Sequence, residues 1–295
     1  MSKYIIKYKL IFIIIITTAF STTYAAIDPS YGGFFVIGLN SNANFEYNYL
    51  EFGTIGELTD KISYEGTIFW EQKTGAEGLV NFRLYKNNLN LMIGKFDVPF
   101  GLEYEYLDPP ISKFTSLSVV SENFLDGGWN DAGVNLKFKN KLIRVDGFII
   151  NSWYGNKAYA PGFRMSSRIY RNIRTGISYT VHLNNDYVKQ VDRKDAFISI
   201  DFNDFKLESE YISGELVSSS NNIDHAYYIQ GIYNLSNIIN APIQSTFRYG
   251  IFNGKRNYVT TGLSYQISKE NLLKLEYLLN DEGDDKIYSQ LAISF

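Results

Sequence analysis

Two sets of charged residues carry most of the chemistry this sequence offers. Within residues 98–130, Glu103, Glu105, Asp108, Glu122 and Asp126 stand against a single cation, Lys113, with Asp131 just beyond. A second set is scattered along the rest of the chain. It comprises Arg83, Lys137, Arg144, Arg168, Arg174, Lys206, Arg248 and Lys274, interspersed with Glu46, Glu65, Glu71, Asp146, Asp201, Glu208, Glu210 and Glu276. Fixed charges of this kind act on mobile ions through the local potential, not by making bonds. Bond-making signatures are absent: there is no G-x-S-x-G, H-E-x-x-H, P-loop or G-x-G-x-x-G pattern. The two histidines, His182 and His225, fall in no catalytic signature and read as interface residues near strand ends. With no cysteine, neither a disulfide scaffold nor a thiolate metal site is open to the chain. The run "DEGDD" at 281–285 could hold a hard divalent cation through carboxylate oxygens, but reads more simply as a polar hairpin tip turned by Gly283.

Only a particular architecture brings these scattered charges to one surface. The dominant period of the sequence is two. "ISYEGTIFWE" sets Ile62, Tyr64, Ile68 and Trp70 against Ser63, Glu65, Thr67 and Glu71; "LIRVDGFII" sets Ile143, Val145 and Ile149 against Arg144 and Asp146. "RTGISYTVH", "IQSTFRYGI" and "NLLKLEYLL" repeat the alternation with Arg174, Arg248, Lys274 and Glu276 on the polar side. Such alternation marks strands with one apolar and one wet face. Strands are expected near 31–39, 44–54, 61–71, 77–85, 89–97, 131–139, 142–151, 163–170, 173–182, 194–201, 205–213, 224–235, 242–252, 256–267, 272–280 and 286–295. That makes sixteen, with fourteen and eighteen the neighbouring even counts. The six prolines are expected in loops or at strand ends, where the ladder can lose a donor.

The wet face decides the fold class. The first 25 residues read as a cleaved signal peptide: a basic start with Lys3, Lys7 and Lys9, the apolar "LIFIIIITTAF", and Thr23 and Ala25 before the cut. The remainder, 26–295, then holds 25 basic and 31 acidic residues, about −6, which gives no basic footprint for nucleic acid. Tyr (24) and Phe (21) are abundant, and tyrosines crowd the strand ends alongside Trp70, Trp129 and Trp153. That distribution fits an interfacial aromatic girdle. The chain closes on "KIYSQLAISF", an alternating strand with a terminal Phe295, similar to the assembly signal of outer-membrane barrels. The expectation is an all-β protein: a transmembrane antiparallel up-and-down β-barrel in the bacterial outer membrane, apolar side chains toward lipid and polar ones lining the interior.

One segment forms no element. Residues 98–130 are too long for an idle connection, and "PPISKFTSLSVV" with Phe124 is too apolar to stay in solvent. Folding inward, it would narrow the aqueous channel that a barrel of this size leaves. The residues Gly94-Lys95-Phe96-Asp97-Val98-Pro99-Phe100-Gly101-Leu102-Glu103 resemble the strand-end signature of the phosphate-selective porin O/P family, and "SENFLDGGWNDAGVNLKF" fits the same template. The resemblance implies a homotrimeric, sixteen-stranded porin for small solutes or ions, in contact with lipid, lipopolysaccharide and the barrel assembly machinery, with no cofactor and no enzymatic activity. The basic residues that carry phosphate selectivity in that family have no counterpart on this acidic loop. A wall of inward cations facing the acidic loop would set a transverse field across a constriction. An outer-membrane lipase or protease, and a closed structural or adhesive barrel, are the alternative classes.

Overall fold

The computed structural model describes residues 29–40, 49–70, 74–86, 88–106, 108–125, 128–151, 158–184, 191–215, 223–269, 271–281 and 285–295. The predicted leader, Glu46, Glu71, Trp153 and Asp126 lie outside them.

Sixteen strands form one closed antiparallel barrel in which each pairs with its sequence neighbours and the first pairs with the last. They are β1 (Ser30–Asn40), β2 (Tyr49–Thr59), β3 (Ile62–Trp70), β4 (Thr74–Tyr85), β5 (Leu89–Asp97), β6 (Asn130–Lys139), β7 (Ile143–Asn151) and β8 (Ala158–Tyr170). The second half is β9 (Ile173–Asn184), β10 (Val191–Phe202), β11 (Phe205–Gly214), β12 (Asp224–Asn234), β13 (Ile243–Phe252), β14 (Arg256–Gln266), β15 (Asn271–Asn280) and β16 (Lys286–Ser294). Closure runs through Phe34↔Ser294 to Asn40↔Tyr288 and ends with Gly33 and Phe295 exchanging backbone hydrogen bonds at 3.0 and 3.1 Å. Closing the sheet leaves no bare edge, a requirement for crossing a bilayer with strands.

The alternation of the sequence maps onto the two faces of the wall. Outward residues such as Ile149, Phe163, Phe247, Leu263 and Leu275 are 40–57% exposed, forming an apolar outer band. Exposed aromatics crown both rims: Tyr31, Tyr85, Tyr170 and Tyr233 at the end that carries the termini, and Trp70, Tyr159, Tyr211 and Tyr227 at the other. Inward positions are mostly polar, with Arg164, Thr180, Glu208 and Glu276 among the buried.

Three local expectations change. The second strand continues to Thr59, five residues past its expected end at 54, because Gly53 and Gly56 interrupt the apolar pattern without ending the pairing; the expected 44–48 part lies outside the described residues. Pro161 lies inside β8, opposite Ile149, where the β8–β9 pairing lapses between Tyr159 and Gly162 and no donor is missed. Trp129 is no girdle residue: it is 2% exposed and faces the interior, packed against Phe100, Phe148 and His182.

Candidate functional site

The segment joining β5 to β6 turns back inside the barrel. Gly94, at φ +141°, sits where a Cβ would meet the Gly78 carbonyl at 2.2 Å, so only glycine lets β5 bend there. Val98 N–H donates to the Trp129 carbonyl at 2.7 Å, which pinches the two ends of the segment together. Gly101 then takes φ +74°, with its Cα so near the wall that a Cβ would lie 2.3 Å from Glu210 Oε1. Its N–H donates to Ser178 Oγ at 3.0 Å, and Leu102 N–H donates to Glu210 Oε1 at 2.7 Å.

Further on, a short helix, α1 (Val119–Phe124), starts at the N-cap Ser118, whose oxygen accepts from Ser121 N–H at 3.1 Å. Its apolar face, Val119, Val120 and Phe124, joins Ile212, Ala226 and Tyr228 in a buried cluster that continues to Phe96, Phe100, Trp129 and Phe148. Gly250 makes room for it, since a Cβ there would stand 2.8 Å from Val119 Cγ1. Arg193 donates to the Phe124 carbonyl at the C-terminal end of the helix, at 2.6 Å, where a cation also suits the helix dipole.

Ion pairs fix the rest of the segment to the wall. Glu105 is held by Arg164 at 2.9 Å, by Arg144 at 3.6 Å and by Arg174. Burial opposes ionisation of Glu105, but Arg164, Arg174 and Arg144 together outweigh it and hold its pKa below the usual glutamate range. Arg164 also donates to the Gly101 carbonyl at 2.8 Å and lies over the rings of Tyr104 and Phe197, 4.8 Å from each centroid. Glu103 accepts from Ser118 Oγ at 2.5 Å and from Ser121 Oγ, with Arg248 Nη1 at 3.4 Å. Arg248 reaches the carbonyls of Ser116 and Leu117, and Lys274 those of Pro109, Ser112 and Phe114 at 3.0–3.2 Å. Glu276 answers with its two oxygens on Thr115 and Ser116 N–H at 2.9 Å.

The residues singled out in the sequence therefore divide. Arg144, Arg174, Arg248 and Lys274 meet Glu103, Glu105 or the backbone of the segment in direct contact. Arg83 stands apart, paired with Glu57 at 2.5 Å near the β2–β3 turn, and Arg168 is exposed at the rim beside Arg174. Glu122 is exposed on α1, within electrostatic reach of Tyr258 on β14. Lys113 lines a cavity with Lys206, and Lys206 pairs with Glu208 at 2.7 Å. His182 is 1% exposed beneath Trp129 inside the barrel, and not at an interface. At the 281–285 turn, Asp281 accepts from Asn257 and Asp285 from Tyr277. Two central cations were not foreseen, Arg164 and Arg193. Arg193 precedes its expected strand by one residue, whereas Arg164 lies within the expected 163–170 strand, where its i, i+4 relation to Arg168 would have pointed to it.

Space remains on both sides of the segment. One cavity of about 380 Å³ lies between it and the wall toward β10–β16, lined by Tyr106, Lys113, Lys206, Gln230, Gln244 and Gln290 among others. A second, of about 210 Å³, lies toward β3–β7 and is lined by Glu65, Glu77, Asp97, Tyr104, Lys137 and Arg144 among others. The wall from β2 to β5 is acidic. Glu51, Glu65, Glu77 and Asp97 lie close enough to repel one another, and Asp108 joins them from the segment. Of the acids expected on the loop, Glu103 and Glu105 are thus answered by arginines, while Asp108 faces the carboxylates of the wall opposite.

No family model and no curated protein matches the sequence. Solved structures do match, along nearly the whole chain. In vitro folded OmpT, an outer-membrane protein of Vibrio cholerae in trimer form, superposes with a TM-score of 0.68 at 10% identity, covering 92% of this chain and 100% of that one. OmpF of Salmonella typhi, in complex with daunomycin, gives 0.65 at 12% identity over 91% and 97%. A porin gives 0.63 at 12% identity over 91% and 100%. The chain has the closed sixteen-stranded fold of bacterial outer-membrane barrels, porins among them.

Proposed function

We propose that this chain is an outer-membrane porin: a passive, water-filled path for small hydrophilic solutes or ions, narrowed by residues 98–130 and without catalytic activity. The observation that carries the reading is the inner segment itself. It is bonded along its length to the β9–β15 wall and leaves polar-lined space beside it, an arrangement suited to narrowing a conduit without filling it. Alternation with an apolar outer band supports residence in lipid, with lipopolysaccharide around the outer rim and the barrel assembly machinery as the route of insertion. The trimer form of OmpT, with which this chain shares its fold, supports a homotrimer. Because Glu103 and Glu105 are engaged by arginines, the carboxylates of β2–β5, which outnumber the cations beside them, set the ion preference, and the passage favours cations. The resemblance of residues 94–103 to the phosphate-selective family carries the loop geometry but not the anion preference.

Single-channel recording of the refolded protein in a planar bilayer, with the reversal potential in a KCl gradient, tests this. Discrete channels with a cation-selective reversal potential are expected. An absence of channels would overturn the porin reading and favour an enzyme or a closed barrel, and anion selectivity would overturn the assignment of the acidic wall.

A further inference from the structure

The cavity on the β3–β7 side holds an arrangement that charge screening of a lumen does not require. Lys137 on β6 and Glu65 on β3 both line it; Glu65 is exposed to the cavity, Lys137 is half-buried across the ladder from Asp146, and neither makes a hydrogen bond or a contact ion pair among the described residues. Most other inward charges are paired: Arg144 with Asp146 at 2.7 Å, Lys95 with Glu77 at 3.8 Å, Asp97 with Asn130 at 3.0 Å. Two further polar atoms of the lining are buried without a partner: the Tyr104 hydroxyl, and Oδ1 of Asn135, a residue only 2% exposed. Buried polar groups in this state take a partner from outside the chain, water or a solute. Met92, Phe96 and Pro99 supply an apolar flank. The charges are also sorted along the wall. Glu77 and Asp97 lie at the end of the barrel where β5 stops, whereas Lys137 and Arg144 lie toward the β6–β7 turn.

Building on the porin reading, we propose that this cavity is a binding site for a small zwitterionic solute, an amino acid or a compact peptide. Its carboxylate lies against Lys137, with Arg144 behind, and its ammonium against Glu65 and the acidic wall. The Tyr104 hydroxyl and the Asn135 carbonyl oxygen take the remaining donors and acceptors, and Met92 and Phe96 meet an apolar side chain. A volume of about 210 Å³ is below the roughly 300–1,000 Å³ of sites for drug-sized ligands, which limits the solute to this size. A solute with one charge would leave one of the two unpaired residues unanswered, so the site discriminates by requiring both signs at once.

The test uses the full refolded protein in detergent and isothermal titration with four probes: L-methionine, N-acetyl-L-methionine, L-methionine amide and N-acetyl-L-methionine amide. Millimolar binding of L-methionine is expected, at least tenfold weaker binding of either singly charged probe, and none of the neutral one. Lys137→Met and Glu65→Gln are each expected to weaken L-methionine binding about tenfold, while Lys137→Arg restores it. Equal binding of all four probes, no binding of any, or a Lys137→Met protein that binds as the parent does would overturn the proposal. If either variant fails to fold, the probe series on the unaltered protein decides alone. Channel recording without solute is done on the same preparations: channels without methionine binding sink this site and leave the porin reading standing, whereas binding without channels does the reverse.

Discussion

Arg164 Nη2 meets Glu105 Oε1 at 2.9 Å, joining the eighth strand of the wall to a segment that left the wall after the fifth. Arg164 is fully buried and has no water to fall back on if its partner goes.

Glu105→Ala is therefore expected to destabilise the protein by about 3 kcal/mol, the scale for removing one member of a buried pair and leaving the other charge behind. Because the 98–106 stretch loses its central anchor, the open-channel current should become larger or noisier. Thermal unfolding by gel mobility gives the first quantity and bilayer recording the second. An unchanged current would place the segment's restraint elsewhere.

Gly101→Ala should be far more damaging than Gly254→Ala. Both glycines have positive φ, +74° and +64°, but a Cβ at 101 would strike Glu210 Oε1 at 2.3 Å while one at 254 meets nothing within 4 Å. Backbone strain alone costs on the order of 1–3 kcal/mol, and the clash adds to it only at 101. Comparing the two melting curves isolates that clash.

Lys274→Met should expose Lys113 to trypsin. Lys274 holds three carbonyls flanking that residue, at Pro109, Ser112 and Phe114, and Lys113 is the single lysine or arginine between 98 and 130. A limited digest followed by intact mass should show a cut after Lys113 in the variant and not in the parent.

Acid should release the segment late. Glu105 has a depressed pKa in the folded protein, so its contribution is fully present above the unfolded value of about 4.3. It fades only as pH falls through the lowered folded value. The same digest with an acid-active protease, run from pH 6 downward, should show protection maintained to about pH 4 and lost below. Glu105→Gln should be digested at all of these pH values.

Replacing Glu65 and Glu77 together by glutamine should move the reversal potential in a KCl gradient toward anions, since both carboxylates line the cavity and Glu77 meets Lys95 only at 3.8 Å. A matching change at Glu103 and Glu105 should move it much less, because arginines already answer those charges.

Much of this barrel could be read from its residues. All sixteen strands, their polar and apolar faces and the inward sense of Arg144, Arg174, Arg248 and Lys274 follow from a period of two, which survives in the wall because each face meets one environment. Strand ends were less legible. β8 and β10 begin before their alternation becomes clean, which leaves Arg193 just outside its expected strand; Arg164 lies inside its own, on the inward parity of Arg168, and was legible there. Within 98–130 there is no period, and the sign of the charges alone suggested acids facing an open passage. Their pairing with arginines on β7–β9 is a matter of where Gly101 turns the chain, and that is set by contacts more than 60 residues away in sequence.

The Gly33–Phe295 junction gives the molecule an order of assembly. Fifteen of the sixteen pairings join neighbours in sequence and can form one hairpin at a time, whereas the β1–β16 seam closes a loop of roughly 260 residues at an entropic cost of about 5 kcal/mol. Until that seam zips, the sheet is an open ribbon with a side door. Afterwards, residues 98–130 could enter only through an end. The seam thus turns a sheet with an open side into a tube, and the contacts of Gly101 and its arginines hold a segment that closure leaves only the two ends to reach.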